Sequence, residues 1–255
     1  MHSEGRILIL GGTGEARELA ALLLANGHHV VTSLAGVTEN PLLPPGEIRR
    51  GGFGGDEGLV NYLGTAHIRL LIDATHPFAA IMSQHASAAA HQTALPLLRL
   101  ERPPWKQGPD EQWIRVSNMA KAIAVLPVSA KALVTTGRKN LAELLARQDL
   151  GGVIRSIEPI NEKLPMNWQL VLDRPPHDLA SEIALMQQFQ VTHLLTKNAG
   201  GDKTAAKLLA AHRLGIAVVM IDRPLKPACW TYTSAVEVVA AFRQLVSAGG
   251  LVRVG

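Results

Sequence analysis

Short apolar runs alternate with helix-forming stretches along almost the whole chain, and this alternation limits the fold more than any other feature of the 255-residue sequence. The runs Ile7 to Leu10, His29 to Leu34, Ile48 to Arg50, Arg69 to Asp73 and Leu97 to Leu100 read as strands. The stretches Glu15 to Leu24, Asp56 to Leu63 and Ala79 to His91 between them read as helices. Strands joined by helical crossovers pair in parallel, and a parallel sheet needs cover on both faces.

From Glu101 to Gln112 the periodicity lapses in a segment with three prolines and a glycine, which predicts a loop or linker. Beyond it come strands at Trp113 to Val116, Ala132 to Thr136, Val153 to Ile157, Gln169 to Leu172, His193 to Thr196 and Ala217 to Ile221. Helices are expected up to about Val125 and near Asn140 to Arg147, Leu179 to Gln188, Lys203 to Leu214 and Ser234 to Ala248. The most economical architecture is an α/β protein of two parallel-sheet domains, residues 1–112 and 113–255, with a cleft between them.

Only 4% of residues are aromatic against 47% hydrophobic overall, so the core is built from Ala, Leu, Val and Ile. No apolar run approaches the roughly 20 residues that cross a bilayer, so no membrane partner is expected. The first residues run directly into Arg6 and an apolar strand without a signal-peptide pattern, and a cytoplasmic location is the expectation. The single cysteine, Cys229, excludes an internal disulfide and a thiolate metal cluster within one chain, and no metal site is expected.

Net charge is +4 and the sequence pI near 9.4. Lys and Arg do not form runs, and many stand just beyond strands. That favours a small anionic ligand over a nucleic-acid groove.

The segment Leu10-Gly11-Gly12-Thr13-Gly14-Glu15-Ala16-Arg17 joins a buried strand to a helix through glycines. Glycines let the backbone approach a pyrophosphate, and the helix start supplies unpaired N–H groups and partial positive charge. Gly12 and Gly14 fit the first two positions of the dinucleotide fingerprint, whereas Arg17 stands at the third. A tight βα turn without a ligand is the plainer alternative.

The second strand ends Val30-Val31-Thr32-Ser33-Leu34-Ala35-Gly36, with no carboxylate to hold a ribose 2′-hydroxyl. Ser33 and the N–H groups near Ala35 and Gly36 would accept a 2′-phosphate, so NADPH is the expected cofactor, with Gly11, Gly12, Thr13, Gly14 and Glu15 at its pyrophosphate. Basic help would come from Arg17 or from a residue elsewhere.

At the end of the fourth strand, Asp73-Ala74-Thr75-His76-Pro77-Phe78 sets His76 where ligands of open α/β sheets bind, as a candidate proton donor. The alternative is that Thr75 caps the next helix and His76 packs or faces solvent. In the second half, Thr135-Thr136-Gly137-Arg138-Lys139 and Thr196-Lys197-Asn198-Ala199-Gly200-Gly201 each put glycine and cations beyond a strand, either facing an anion or as solvated turns. Arg99, Arg102 and Trp105 suggest a lid or wall, or an interdomain strap.

Taken in order, the five motifs Gly11–Arg17, Asp73–Ala79, Arg99–Trp105, Thr135–Arg138 and Lys197–Gly201 resemble the motif series of the precorrin-6A reductase family of cobalamin biosynthesis, over nearly the whole chain. The resemblance implies two Rossmann-like domains, one for NADPH and one for the tetrapyrrole. It further implies reduction of a carbon–carbon double bond of the macrocycle, hydride going to C19 and a proton to C18. The substrate, precorrin-6A or its cobalt form, carries several carboxylates, for which Arg17, Arg99, Arg102, Trp105, Arg138, Lys139, Lys197 and Gly200 form the expected binding set. Neighbouring enzymes of the pathway are candidate partners.

Three rivals fare worse. A short-chain dehydrogenase needs a Tyr-x-x-x-Lys pair, yet Tyr62 and Tyr232 are followed four residues later by Ala66 and Val236. A regulatory NADP-binding sensor would not need the cations of the second half. A nucleic-acid binder would show a basic stripe or reader motif, and none occurs.

Overall fold

The computed structural model describes residues 5–36, 42–138 and 140–247. They divide into two compact units: the chain up to Arg102 together with the chain from Pro224 onward, and the intervening Pro103–Arg223. Each unit contains one six-stranded sheet in which every neighbouring pair of strands is parallel.

The first unit opens with β1 (Arg6–Leu10), α1 (Gly14–Ala25), β2 (Val30–Leu34), β3 (Glu47–Arg50), α2 (Asp56–Thr65), β4 (Ile68–Asp73), α3 (Ala80–Gln92) and β5 (Leu97–Leu100). The second comprises β6 (Trp113–Val116), α4 (Met119–Ala124), β7 (Lys131–Val134), α5 (Leu141–Leu145), β8 (Gly151–Ser156), β9 (Trp168–Leu172), α6 (Leu179–Gln188), β10 (His193–Lys197), α7 (Ala206–Arg213) and β11 (Ala217–Ile221). The chain then returns to the first unit with β12 (Trp230–Tyr232) and α8 (Ala235–Ser247).

In the first sheet the order is β12-β5-β4-β1-β2-β3, so β1 is central and Ile7 to Leu10 are buried on both faces. Side chains of a strand alternate between faces. Ile7 and Ile9 accordingly pack with Leu19 and Leu23 of α1 and Phe242 of α8, while Leu8 and Leu10 pack with Leu59 and Leu63 of α2 and Ala86 and Ala89 of α3. The helix α1 is specified locally: Ala16, Leu19, Ala20 and Leu23 form one buried stripe at helical spacing.

In the second sheet the order is β6-β11-β10-β7-β8-β9. One face gathers Leu133, Val153, Leu194, Val218 and Met220 beneath Met186 of α6 and Leu208 and Ala211 of α7. Among the described residues no helix is long and apolar enough to cross a membrane.

The expected α/β class and the two Rossmann-like parallel-sheet units hold. The expected boundary does not. The chain passes between units at Arg102 and Pro103 rather than after residue 112, so most of the proline-rich segment belongs to the second unit. Nor does everything beyond 113 form one domain, because Trp230, Thr231 and Tyr232 pair with Leu98, Arg99 and Leu100 of β5.

The reason is physical. Without β12 and α8, β5 would be an open edge and the face that α8 shares with α1 would lose part of its cover. A three-residue strand has no readable period, and its partner lies more than a whole unit away in sequence.

Phe242 is fully buried where α8 meets the sheet, with the His28 ring edge-on at 4.9 Å. Phe242→Ala should therefore cost about 3–5 kcal/mol. Urea unfolding followed by circular dichroism would measure this, and a loss below about 1 kcal/mol would contradict the packing role given to α8.

Candidate functional site

The bend between β1 and α1 is shaped by its neighbours. Gly11 donates its N–H to the Ser33 carbonyl at 2.9 Å, and a Cβ there would stand 2.7 Å from the Thr32 methyl, so only glycine fits beside β2. Gly12 has φ +111°, and nothing lies within 4 Å of where its Cβ would be. That position combines a backbone conformation suited to glycine with open space on the side a ligand would approach.

Thr13 caps α1, its hydroxyl accepting from Ala16 N–H at 3.1 Å and donating to the Ala74 carbonyl at 2.9 Å. The first N–H groups of α1, those of Gly14 and Glu15, precede the intrahelical ladder. The bend thus fits a dinucleotide pyrophosphate: backbone donors at a helix start beside a cradle that a side chain would fill.

Glu15 in the first turn would repel such an anion, but Arg102 holds it through contacts of 2.9 and 3.1 Å. Arg102 was expected to meet the substrate. Instead it belongs to the first unit and lines a narrow hollow with Thr13, Glu15 and Thr75. Arg17 lies one turn into α1, half-buried, with Nη1 3.4 Å from the Thr13 carbonyl. Ser33 is buried at the end of β2, while Ala35 and Gly36 are exposed.

Beside the bend, the end of β4 is organised by Asp73. Its buried carboxylate accepts from Thr75 N–H at 3.2 Å, Thr75 Oγ1 at 2.7 Å, Ser83 Oγ at 2.7 Å and Arg99 Nε at 3.1 Å. Burial by itself pushes the carboxyl pKa up. The Thr75 and Ser83 hydrogen bonds, with the Lys226 and Arg99 charges, more than offset it and hold the pKa below the ordinary value.

Arg99, also expected at the substrate, is buried and turned to Asp73, with Nη1 donating to the Pro227 carbonyl at 3.0 Å. Thr75 does not cap α3, whose cap position is Ala79 without a side-chain bond. His76 is half-buried, and its Nδ1 accepts from Phe78 N–H at 3.2 Å. With Nδ1 accepting, Nε2 is the nitrogen that carries the proton of a neutral ring.

In the second unit, the ends of β7 and β10 are drawn together. Lys197 Nζ donates to the Thr136 carbonyl at 2.7 Å, and the Thr135 and Thr196 hydroxyls meet at 2.9 Å. Arg138 stands one residue past Gly137, 3.2 Å from Glu158 and partly exposed. Lys139 lies outside the described residues.

Gly200 has a packing role. A Cβ there would lie 2.0 Å from the Pro103 carbonyl oxygen, and its φ is +70°. Trp105 is no free wall either. Asn198 binds its backbone on both sides, at 2.8 and 3.1 Å, and its indole Nε1 donates to the Gly201 carbonyl at 3.0 Å. Lys207 Nζ sits 4.6 Å from the centre of its ring. The sequence reading missed Asn198 and Lys207 as the grips on Trp105. Asn198 lay inside a motif already singled out, whereas Lys207 was hidden in a helix.

The fold and the bend define a class: α/β proteins of two Rossmann-like units, one of which carries a dinucleotide-type turn. Residues 6–246 match the family model described as "Precorrin-6x reductase CbiJ/CobK". The chain is 43% identical to a "Precorrin-6A reductase" of Rhodococcus erythropolis over 92% of this chain and 96% of the relative. It is 44% identical to one of Mycobacterium tuberculosis, over 88% and 91% respectively. A solved structure described as "CobK precorrin-6A reductase" superposes with a TM-score of 0.88 at 38% identity, covering 94% of this chain and 96% of that one. The chain belongs to the precorrin-6x reductase family.

Asp73→Ala removes one partner of a buried ion pair and should destabilise by about 3–5 kcal/mol in denaturant unfolding. Because the folded-state pKa of Asp73 is depressed, its contribution is full above the unfolded carboxylate value, about 3.9, and is lost as pH falls through the folded value. The unaltered protein should lose stability in acid below about pH 4, and Asp73→Asn should flatten that dependence. Equal acid slopes for the two proteins would remove Asp73 from this role.

Proposed function

We propose that this chain is an NADPH-dependent reductase of the precorrin-6A macrocycle, delivering hydride to C19 and a proton to C18 to give the dihydro product. The observation that carries the reading is the β1–α1 bend, whose open Gly12 and capped helix start suit a pyrophosphate, within a chain of this family. The absence of a carboxylate at Ser33–Leu34 favours the phosphorylated cofactor. Relatives named precorrin-6A reductase at more than 40% identity support the substrate.

The first unit takes the cofactor and the second the tetrapyrrole. Bound NADPH would supply the hydride, and the protein supplies alignment and charge. Gly11, Gly12, Thr13 and Gly14 hold the pyrophosphate. Arg102 neutralises Glu15, so that no bare carboxylate faces it.

On the second unit, Arg138 and Lys197 engage the ring carboxylates, and the tie from Lys197 to Thr136 fixes the spacing of the two loops. His76 is the candidate donor of the proton to C18, a step that requires its imidazolium form and so the release of the Nδ1 contact with Phe78 N–H.

Anaerobic incubation with NADPH and precorrin-6A, with or without cobalt, tests the reading by loss of NADPH absorbance and a change in pigment spectrum. Deuterated NADPH should place deuterium at C19. Unconsumed NADPH with both macrocycles would overturn the assignment. Arg138→Ala and Lys197→Ala should each raise the Kd for the macrocycle about 10- to 100-fold while sparing NADPH binding. Unchanged macrocycle affinity in both would remove the second unit from substrate binding.

A further inference from the structure

The Rossmann-like geometry puts the substituent on the adenosine ribose just beyond the carboxyl end of β2, where this chain has Ser33 and Leu34. Its neighbour β3 runs parallel to it, with Arg49 opposite Ser33 and Arg50 opposite Leu34. A cation therefore stands level with the hydroxyl at the strand end. We propose that Arg49 recognises the cofactor's 2′-phosphate and so decides between NADPH and NADH. This inference rests on reading the first unit as a nicotinamide dinucleotide site.

The guanidinium is positioned in advance. Nη1 lies 3.5 Å from Ser33 Oγ and donates to the Gly51 carbonyl at 2.6 Å, while Nη2 donates to the Gly52 carbonyl at 2.8 Å. Its carbon sits 3.8 Å from the centre of the Phe53 ring and 5.2 Å from that of Tyr62. Two carbonyls and two rings hold the fork, so little side-chain freedom remains to be lost when a ligand arrives.

Among the described residues no acid matches its charge. Arg6, Arg99, Arg102 and Lys226 of the same unit each pair with a carboxylate. Among the described residues Arg49 has only neutral partners: carbonyls, aromatic faces and the Ser33 hydroxyl. A half-buried guanidinium surrounded in this way gains most from an incoming dianion. A 2′-phosphate offers several acceptor oxygens to the fork and to Ser33, whereas a 2′-hydroxyl offers one neutral oxygen. Arg49 also shapes the turn at Gly51 and Gly52, and a purely structural role would act on both cofactors alike.

The test is a pair of equilibrium constants, measured without macrocycle by cofactor fluorescence for the unaltered protein, Arg49→Gln and Arg49→Lys. The unaltered protein should prefer NADPH. Arg49→Gln should weaken NADPH about 10- to 100-fold and leave NADH within about 2-fold, with Arg49→Lys between the two. Equal losses for both cofactors, or an unchanged preference, would overturn the role of Arg49 while leaving the dinucleotide site standing. Failure of the unaltered protein to bind either cofactor would overturn both readings.

Should Arg49→Gln not fold, the unaltered protein still decides the matter through phenylglyoxal labelling read by peptide mass spectrometry. Adenosine 2′,5′-bisphosphate should shield Arg49 where 5′-AMP does not. Equal labelling with the two nucleotides would overturn the proposal.

Discussion

The buried carboxylate of Asp73 is the interaction on which the first unit's strand ends depend. It sits at the tip of β4, next to β1, and gathers Thr75 from its own loop, Ser83 from α3 and Arg99 from β5. Through Arg99 the same network reaches Pro227, on the stretch that leads into β12. A charge removed from water has to be paired and hydrogen-bonded. Satisfying this one fixes the heights of three strand ends and the start of a helix, and Thr13 links the glycine bend to the adjacent Ala74 carbonyl. The glycine bend is thus held in place by a buried polar node.

The strand-end cations differ in what holds them. Arg99 and Lys226 have carboxylate partners and are mostly buried. Arg102 cancels the one acid at the helix start. Arg138 pairs with Glu158 and Lys197 with the Thr136 carbonyl, at strand ends joined across the second sheet by the Thr135–Thr196 hydroxyl contact. Residue type alone does not separate these roles, because a strand-end arginine reads the same whether it points to a buried aspartate or outward.

Much of the architecture was legible because it is local. Strand and helix periods and the strand–glycine–helix opening depend on near neighbours, and each corresponds to an observed feature. What was illegible is long-range. Nothing around Trp230-Thr231-Tyr232 announces β5 as its partner, and nothing in Gly200 reveals the Pro103 carbonyl that forbids a side chain there. Arg99 was assigned to ligand binding because its register with Asp73 exists only once β4 and β5 pair. Arg49 escaped notice for the same reason, since its proximity to Ser33 comes from the pairing of β2 with β3.

The return of β12 and α8 to the first sheet makes the second unit an insertion within the first. During translation, β1 to β5 leave the ribosome first, but their sheet lacks its terminal strand until the whole inserted unit has been made. The N-terminal half must wait with the border of β5 uncovered, a state prone to association with other chains. The inserted unit, whose own six strands are contiguous in sequence, is under no such delay. Assembly order is thereby written into connectivity: the later-made unit can mature before the earlier one closes.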